Sequence, residues 1–189
     1  NQPMIFDDIL LVFNGEIYNY KELIHLEQLE CKTKSDSEVL IRLYQKYGFN
    51  FLNKLNGMFA FCIYDIKKEL YFCARDRYGK KPFFYYFKNN KFIFSSSLKS
   101  ILNLLDSKPN LNKVALCKYM QYFVPFGEDT FYQDVFKLEA STYMIYEPNK
   151  PQELQKKKYY KINTYKAIKD EKQALNDIEE LLVKSVEYR

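Results

Sequence analysis

Asn14, Gly15 and Glu16 place a side-chain amide, a sterically open backbone N–H and a carboxylate at consecutive positions. Such a set can donate hydrogen bonds to a developing oxyanion on one side and hold an ammonium group on the other. Glycine also lets the main chain approach a ligand closely. A second carboxylate, Asp36, follows in the run Ser35-Asp36-Ser37-Glu38. Ser35 and Glu38 have the capping-box spacing, so a helix starts there. Asp36 then lies in the first turn, beside the positive end of the helix dipole, where a carboxylate stays ionised. Taken singly, Asn14-Gly15 is the dipeptide of a hairpin turn and Asp36 merely stabilises a helix start. Taken together, they suit a small-molecule site in which two carboxylates face a substrate amine.

The elements that must position these groups follow from periodicity. Ile9 to Phe13 is a short apolar run, read as a buried strand that enters a sharp polar corner at Asn14. After Glu38, the residues Leu40, Leu43, Tyr44 and Tyr47 fall on one helical face, and Gly48 stops the helix. Asn56 to Asp65 and Leu70 to Pro82 read as two strands joined by a polar turn at Ile66 to Glu69, the second ending in a charged loop. Phe83 to Phe87 and Phe92 to Ser96 follow around Lys88-Asn89-Asn90-Lys91. These four strands, apolar on both faces, predict a meander covered on both sides. Asn112 to Phe123 reads as a helix with Ala115, Leu116, Tyr119 and Phe123 on one face. Val124 to Thr130 reads as a loop, Ser141 to Tyr146 as a strand, and Pro148 to Lys158 as a linker by composition. Glu171 to Arg189 closes the chain as a helix whose stripe Leu175, Ile178, Leu182 and Val186, joined by Leu181, calls for a partner domain. Nothing in its local sequence is expected to cap it.

The order NQPM, FNGEIYN, SDSEV, LNGMFAFCIYD, ARDRYGKKPFFY and FSSSLKSIL resembles the glutaminase domain of glutamine-hydrolysing asparagine synthetases. That domain is a class II glutamine amidotransferase among the N-terminal-nucleophile hydrolases. The resemblance covers just over half the chain, to about Leu102, with a weaker continuation. It implies an α+β fold, the four-layer αββα sandwich. It also implies that Asn14, through its amide, and Gly15, through its N–H, form the oxyanion hole for attack on the glutamine carboxamide. Glu16 and Asp36 would hold the α-amino end of that glutamine. The domain would span residues 1–147, with a linker over 148–170 and the first helix of a synthetase domain over 171–189. The resemblance implies ATP and magnesium in the synthetase domain and none in this part. It also leaves room for a homodimer. The sequence departs from the family pattern at Ala140-Ser141, where a Pro-Gly pair is usual, and at Ser97, where an acid is usual.

The family's nucleophile is an amino-terminal cysteine whose α-amine, of pKa about 7.7–8.0, serves as the base. This chain begins Asn1-Gln2-Pro3-Met4, which resembles a segment well inside the domain. The nucleophile and the arginine for the substrate carboxylate are therefore expected upstream, and these residues alone are expected to be inactive. Cys31, Cys62, Cys73 and Cys117 show no C-x-x-C spacing, and the sole histidine, His25, lies in a polar helix-like stretch. Cys62 and Cys73 sit in apolar strands, where a thiol acts as a small hydrophobe. No metal site is expected, and unpatterned cysteines fit a reducing, cytoplasmic compartment.

A chain of 189 residues with 47% hydrophobic and 18% aromatic content can bury one sizeable core. Its net charge of +5 raises nucleic acid as a partner, but the lysines are interleaved with acids, which argues against it. No apolar run reaches bilayer-spanning length, and the opening residues do not have the makeup of a secretory signal. The expected partners are glutamine and a synthetase domain of the same polypeptide. The rival readings are an amide-forming ligase with another acceptor and a degenerate amidotransferase domain kept for binding or assembly.

Overall fold

The computed structural model describes residues 2–124, 127–150, 153–162 and 170–188. Asn1, Pro125 and Phe126 of the expected loop, Pro151, Gln152 and residues 163–169 of the expected linker, and Arg189 lie outside that set.

Period-two burial builds the central sheet. Met4–Phe6 (β1), Ile9–Ile17 (β2), Gly57–Asp65 (β3), Leu70–Arg75 (β4), Thr142–Tyr146 (β8) and Leu154–Lys158 (β9) pair antiparallel in the order β1-β2-β3-β4-β8-β9. Leu11, Phe13 and Ile17 of β2 share one face with Phe59, Phe61 and Ile63 of β3 and Phe72 of β4, and all seven are buried. Each such side chain contributes about 1.5–3 kcal/mol by leaving water. Against this face packs Asp36–Tyr47 (α2), through Leu40, Leu43 and Tyr44, with Tyr20–Leu26 (α1) beside it. The opposite face carries Ala60, Cys62, Cys73 and Met144, and it meets a second sheet through Phe83, Tyr85 and Leu138. That sheet consists of Phe84–Lys88 (β5), Lys91–Ser95 (β6) and Val135–Lys137 (β7), in the order β6-β5-β7. Leu98–Leu104 (α3), with Ile101 buried, covers it from outside. The layers run helix, sheet, sheet, helix, which is the αββα sandwich.

Four of the expected elements are corrected here. The four-strand meander is divided: β3 and β4 belong to the large sheet, and β5 and β6 to the small one. Apolar residues on both faces of β3 do mean two covers, one of helices and one of a second sheet. Leu154–Lys158 is a strand paired with β8 and not part of a linker. Glu171–Glu187 (α5) is capped by its own local sequence, because Asp170 Oδ1 accepts from Lys172 N at 3.0 Å and Gln173 N at 3.3 Å. In Lys113–Tyr122 (α4), only Ala115 of the expected face is buried, and Phe123 is left exposed at the helix end. Among the described residues no helix is long and apolar enough to cross a membrane.

The capping box at α2 forms only by half. Ser35 Oγ accepts from Ser37 N at 3.3 Å, but Glu38 does not turn back to Ser35. Its buried carboxylate instead accepts from Lys32 N at 2.9 Å, from Thr33 N at 2.6 Å and from the Thr33 hydroxyl at 2.7 Å, and it pairs with Arg42. Burial alone would raise its pKa, yet these donors hold it below the ordinary carboxylate value. A lowered folded pKa stabilises the fold above the unfolded value of about 4.3, and that contribution disappears as pH falls through the folded value. The stability gap between wild type and Glu38→Gln in urea unfolding is therefore expected to be widest near neutrality and to shrink below about pH 4.3. A gap independent of pH would contradict this.

Candidate active site

The NGEIYN segment is not a corner after a strand. β2 continues through Asn14, Gly15 and Glu16, which pair with Ala60, Phe59 and Met58 of β3. The real turn comes at Tyr18 and Asn19, where Tyr18 N donates to Asn56 O at 2.8 Å. The Asn19 amide completes it, donating to Lys54 O at 3.0 Å and accepting from Asn56 N at 2.9 Å. NGEIYN and LNGMF are thus two halves of one interlocked structure.

Two glycines permit that interlock. A Cβ on Gly15, whose φ is +150°, would lie 2.1 Å from the Met58 carbonyl oxygen and 2.7 Å from Phe59 Cα. A Cβ on Gly57 would lie 2.3 Å from Glu16 O. The backbones of β2 and β3 come together here at a distance no other residue type allows.

In an antiparallel ladder, alternate residues turn their N–H and C=O to opposite edges. Asn14 and Glu16 turn theirs to β3, while Phe13, Gly15 and Ile17 turn theirs to the edge that β1 occupies further back. β1 ends at Met4, opposite Leu11. Beyond it, side chains substitute for a strand. The Gln2 amide takes both polar groups of Phe13, donating to Phe13 O at 2.6 Å and accepting from Phe13 N at 3.0 Å. At the far end Asp36 Oδ2 accepts from Ile17 N at 3.1 Å. Gly15 sits between these two plugs on an edge that no strand covers among the described residues.

The structure therefore brings Asn14, Gly15 and Asp36 to one end of one strand. The Asp36 carboxylate is half-buried in the first turn of α2, and Glu16 is exposed. Asn14 is half-buried on the face turned toward the second sheet, in a cleft of about 350 Å³ that Gln2, Ala60, Phe83 and Ser95 also line. Cys31, Cys62 and Cys73 are at least half-buried. Burial pushes the Cys73 thiol up, with Cys62 opposite it on the neighbouring strand adding to the effect. The Cys31 thiol is likewise raised, first by burial and then by Glu38. Cys117 is exposed on α4. Among the described residues no group of three or more His, Cys, Asp or Glu could hold a metal ion.

Two residues escaped the polarity pattern. Arg75 and Asp76 read as part of a charged loop, yet both are buried. Asp76 accepts from the N–H groups of Tyr78, Lys80 and Lys81, each at 3.0 Å, and from Phe59 N at 3.2 Å. Arg75 donates to the carbonyls of Lys81, Leu138 and Gly79, each at 2.6 Å. The loop that carries the chain from one sheet to the other is thereby tied to Phe59, the residue opposite Gly15. Only the motif spelling ARDRYG pointed to this pair, since isolated charges ordinarily signal solvent.

Comparison with known proteins agrees with this architecture. A family model described as glutamine amidotransferase domain matches residues 1–160, a span that includes β9. A Methanocaldococcus jannaschii protein named putative asparagine synthetase (glutamine-hydrolyzing) 2 is 45% identical over 185 residues, covering 96% of this chain and 36% of the relative. Asparagine synthetase (glutamine-hydrolyzing) 1 of Bacillus subtilis is 34% identical over 98% of this chain and 30% of its own length. The chain thus spans about a third of these relatives. Among solved structures, the glutamine phosphoribosylpyrophosphate amidotransferase of B. subtilis shares the fold, with a TM-score of 0.55 at 17% identity over 85% of this chain and 32% of that chain. With the family model matching most of its length, the chain belongs to the class II glutamine amidotransferase domain family.

Proposed function

We propose that these residues are the glutamine-hydrolysing part of a longer asparagine synthetase. The carrying observation is the edge at Gly15, uncovered among the described residues and bounded by the Gln2 amide and the Asp36 carboxylate, with Asn14 adjacent. A glutamine whose side-chain carbonyl enters this gap would meet the Gly15 N–H and the Asn14 amide as charge develops on oxygen. Its ammonium would lie toward Glu16 and Asp36. The names and lengths of the relatives support the remainder of the reading. Ammonia released here would pass to a synthetase domain of the same polypeptide, which would use ATP and magnesium to amidate aspartate in the cytoplasm. Residues 171–189 would open that domain. The stripe on α5 supports this, since Leu175, Ile178, Leu182 and Val186 are each more than half exposed among the described residues.

The nucleophile in this reading is an amino-terminal cysteine, not one of the four cysteines described above. Residues 1–189 alone are accordingly expected to release no ammonia from glutamine, whereas the full-length protein does. An ammonia-coupled assay of both, against a heat-killed control, tests this. Turnover by residues 1–189 would return attention to Cys62 and Cys73. A full-length protein without glutaminase activity would favour the binding or assembly role instead.

A further inference from the structure

We propose that Gln2 is a positioning residue for the oxyanion donors, acting through the Phe13–Asn14 peptide. This rests on the proposed glutaminase reading. The Gln2 side chain makes to Phe13 the two bonds that one residue of a neighbouring strand would make. Its Nε2 donates to Phe13 O at 2.6 Å while its Oε1 accepts from Phe13 N at 3.0 Å. Only a primary amide supplies a donor and an acceptor side by side in that geometry. A glutamate could keep the bond from Phe13 N but could not donate to Phe13 O.

The location gives the clamp its consequence. Phe13 C=O belongs to the peptide plane that carries the Asn14 N–H, so fixing it fixes the plane from which the Asn14 side chain departs. The next residue is Gly15, whose missing Cβ removes the steric limits a side chain would place on its torsions. A flexible donor residue needs its neighbours held. Downstream the Asp36 carboxylate holds Ile17 N, and upstream the Gln2 amide holds Phe13. The register of β1 alone does not reach this far, because its pairing stops at Met4 opposite Leu11. Gln2 also lines the cleft into which Asn14 faces, so its amide stands at the wall of the site without being assigned contact with substrate.

The test uses the full-length protein with Gln2→Met, which keeps the length and removes the amide, and Gln2→Glu, which keeps the acceptor. Glutamine-dependent kcat is expected to fall about tenfold in both, with the KM for glutamine changed less than about twofold and ammonia-dependent synthesis unchanged. On an Asn14→Ala background the same substitutions should lower kcat by no more than about threefold, because groups acting through one another are not additive. A general folding defect would instead weaken the ammonia route, or add fully to Asn14→Ala, and either result overturns the proposal. Unchanged kcat in both Gln2 variants, beside a disabled Asn14→Ala, overturns it while leaving the glutaminase reading intact. Absence of glutaminase activity in the wild type removes both. Should Gln2→Met fail to accumulate, Gln2→Glu decides alone by the same criteria.

Discussion

Asn14→Ala in the full-length protein is expected to lower glutamine-dependent turnover by about 10²–10³-fold, equivalent to about 2.7–4 kcal/mol. The side chain is half-buried at the cleft between the sheets, one residue from the open Gly15 edge. A donor in that place gains most as the carbonyl oxygen becomes an oxyanion, so the loss falls on kcat rather than on glutamine binding. Truncating it removes no ladder bond, because the Asn14 pairing with Ala60 is made by backbone. Synthesis from added ammonium salts should survive, since that route bypasses glutamine hydrolysis. Asp36→Ala offers the contrast. Its carboxylate would hold an ammonium already present in the ground state, so it should chiefly raise KM. It also gives up the bond from Ile17 N, so a modest drop in melting temperature should accompany the change. Measuring both variants with glutamine and with ammonium salts separates the roles. If Asn14→Ala abolished both routes equally, Asn14 would be a structural residue.

The candidate site residues were legible before their setting was. Asn14, Gly15 and Asp36 stood out by type, and the half-formed capping box at Ser35 still located the start of α2. What failed was local reasoning about backbone. Asn-Gly favours a hairpin turn, but here pairing with β3 on one side and the Gln2 and Asp36 side chains on the other keep the chain extended. Tertiary contacts overrode the dipeptide. The division of the meander into two sheets was hidden for a similar reason. The crossing depends on buried Arg75 and Asp76, and burial of a charge cannot be read from the charge itself. β9 was missed because lysine-rich edge strands guard a sheet against further pairing and so read as linker. By contrast, the turn at Asn89 and Asn90 was plain, since both adopt positive φ in a two-residue hairpin.

Gly15→Ala is expected to lower stability and glutaminase activity together, which sets it apart from Asn14→Ala. The added Cβ would sit 2.1 Å from Met58 O and 2.7 Å from Phe59 Cα. Both obstacles are main-chain atoms of a central strand, so no rotamer change relieves them. Phe59 cannot easily retreat either, because its N–H is held by Asp76 and its ring is buried among Phe61 and its neighbours. The positive φ of Gly15 adds strain that a side chain rarely tolerates. Overpacking of about 1–3 kcal/mol and backbone strain of about 1–2 kcal/mol together predict a loss near 3 kcal/mol. For a chain of this size that corresponds to a melting temperature lower by at least about 6 °C. Gly48→Ala is the control, because it too has positive φ but a Cβ there meets nothing within 4 Å. It should show the strain alone. Thermal melts of the two variants side by side decide the matter. If Gly15→Ala melted no lower than Gly48→Ala, β2 could part from β3 at Gly15, and the close approach would not be what fixes the proposed oxyanion donor.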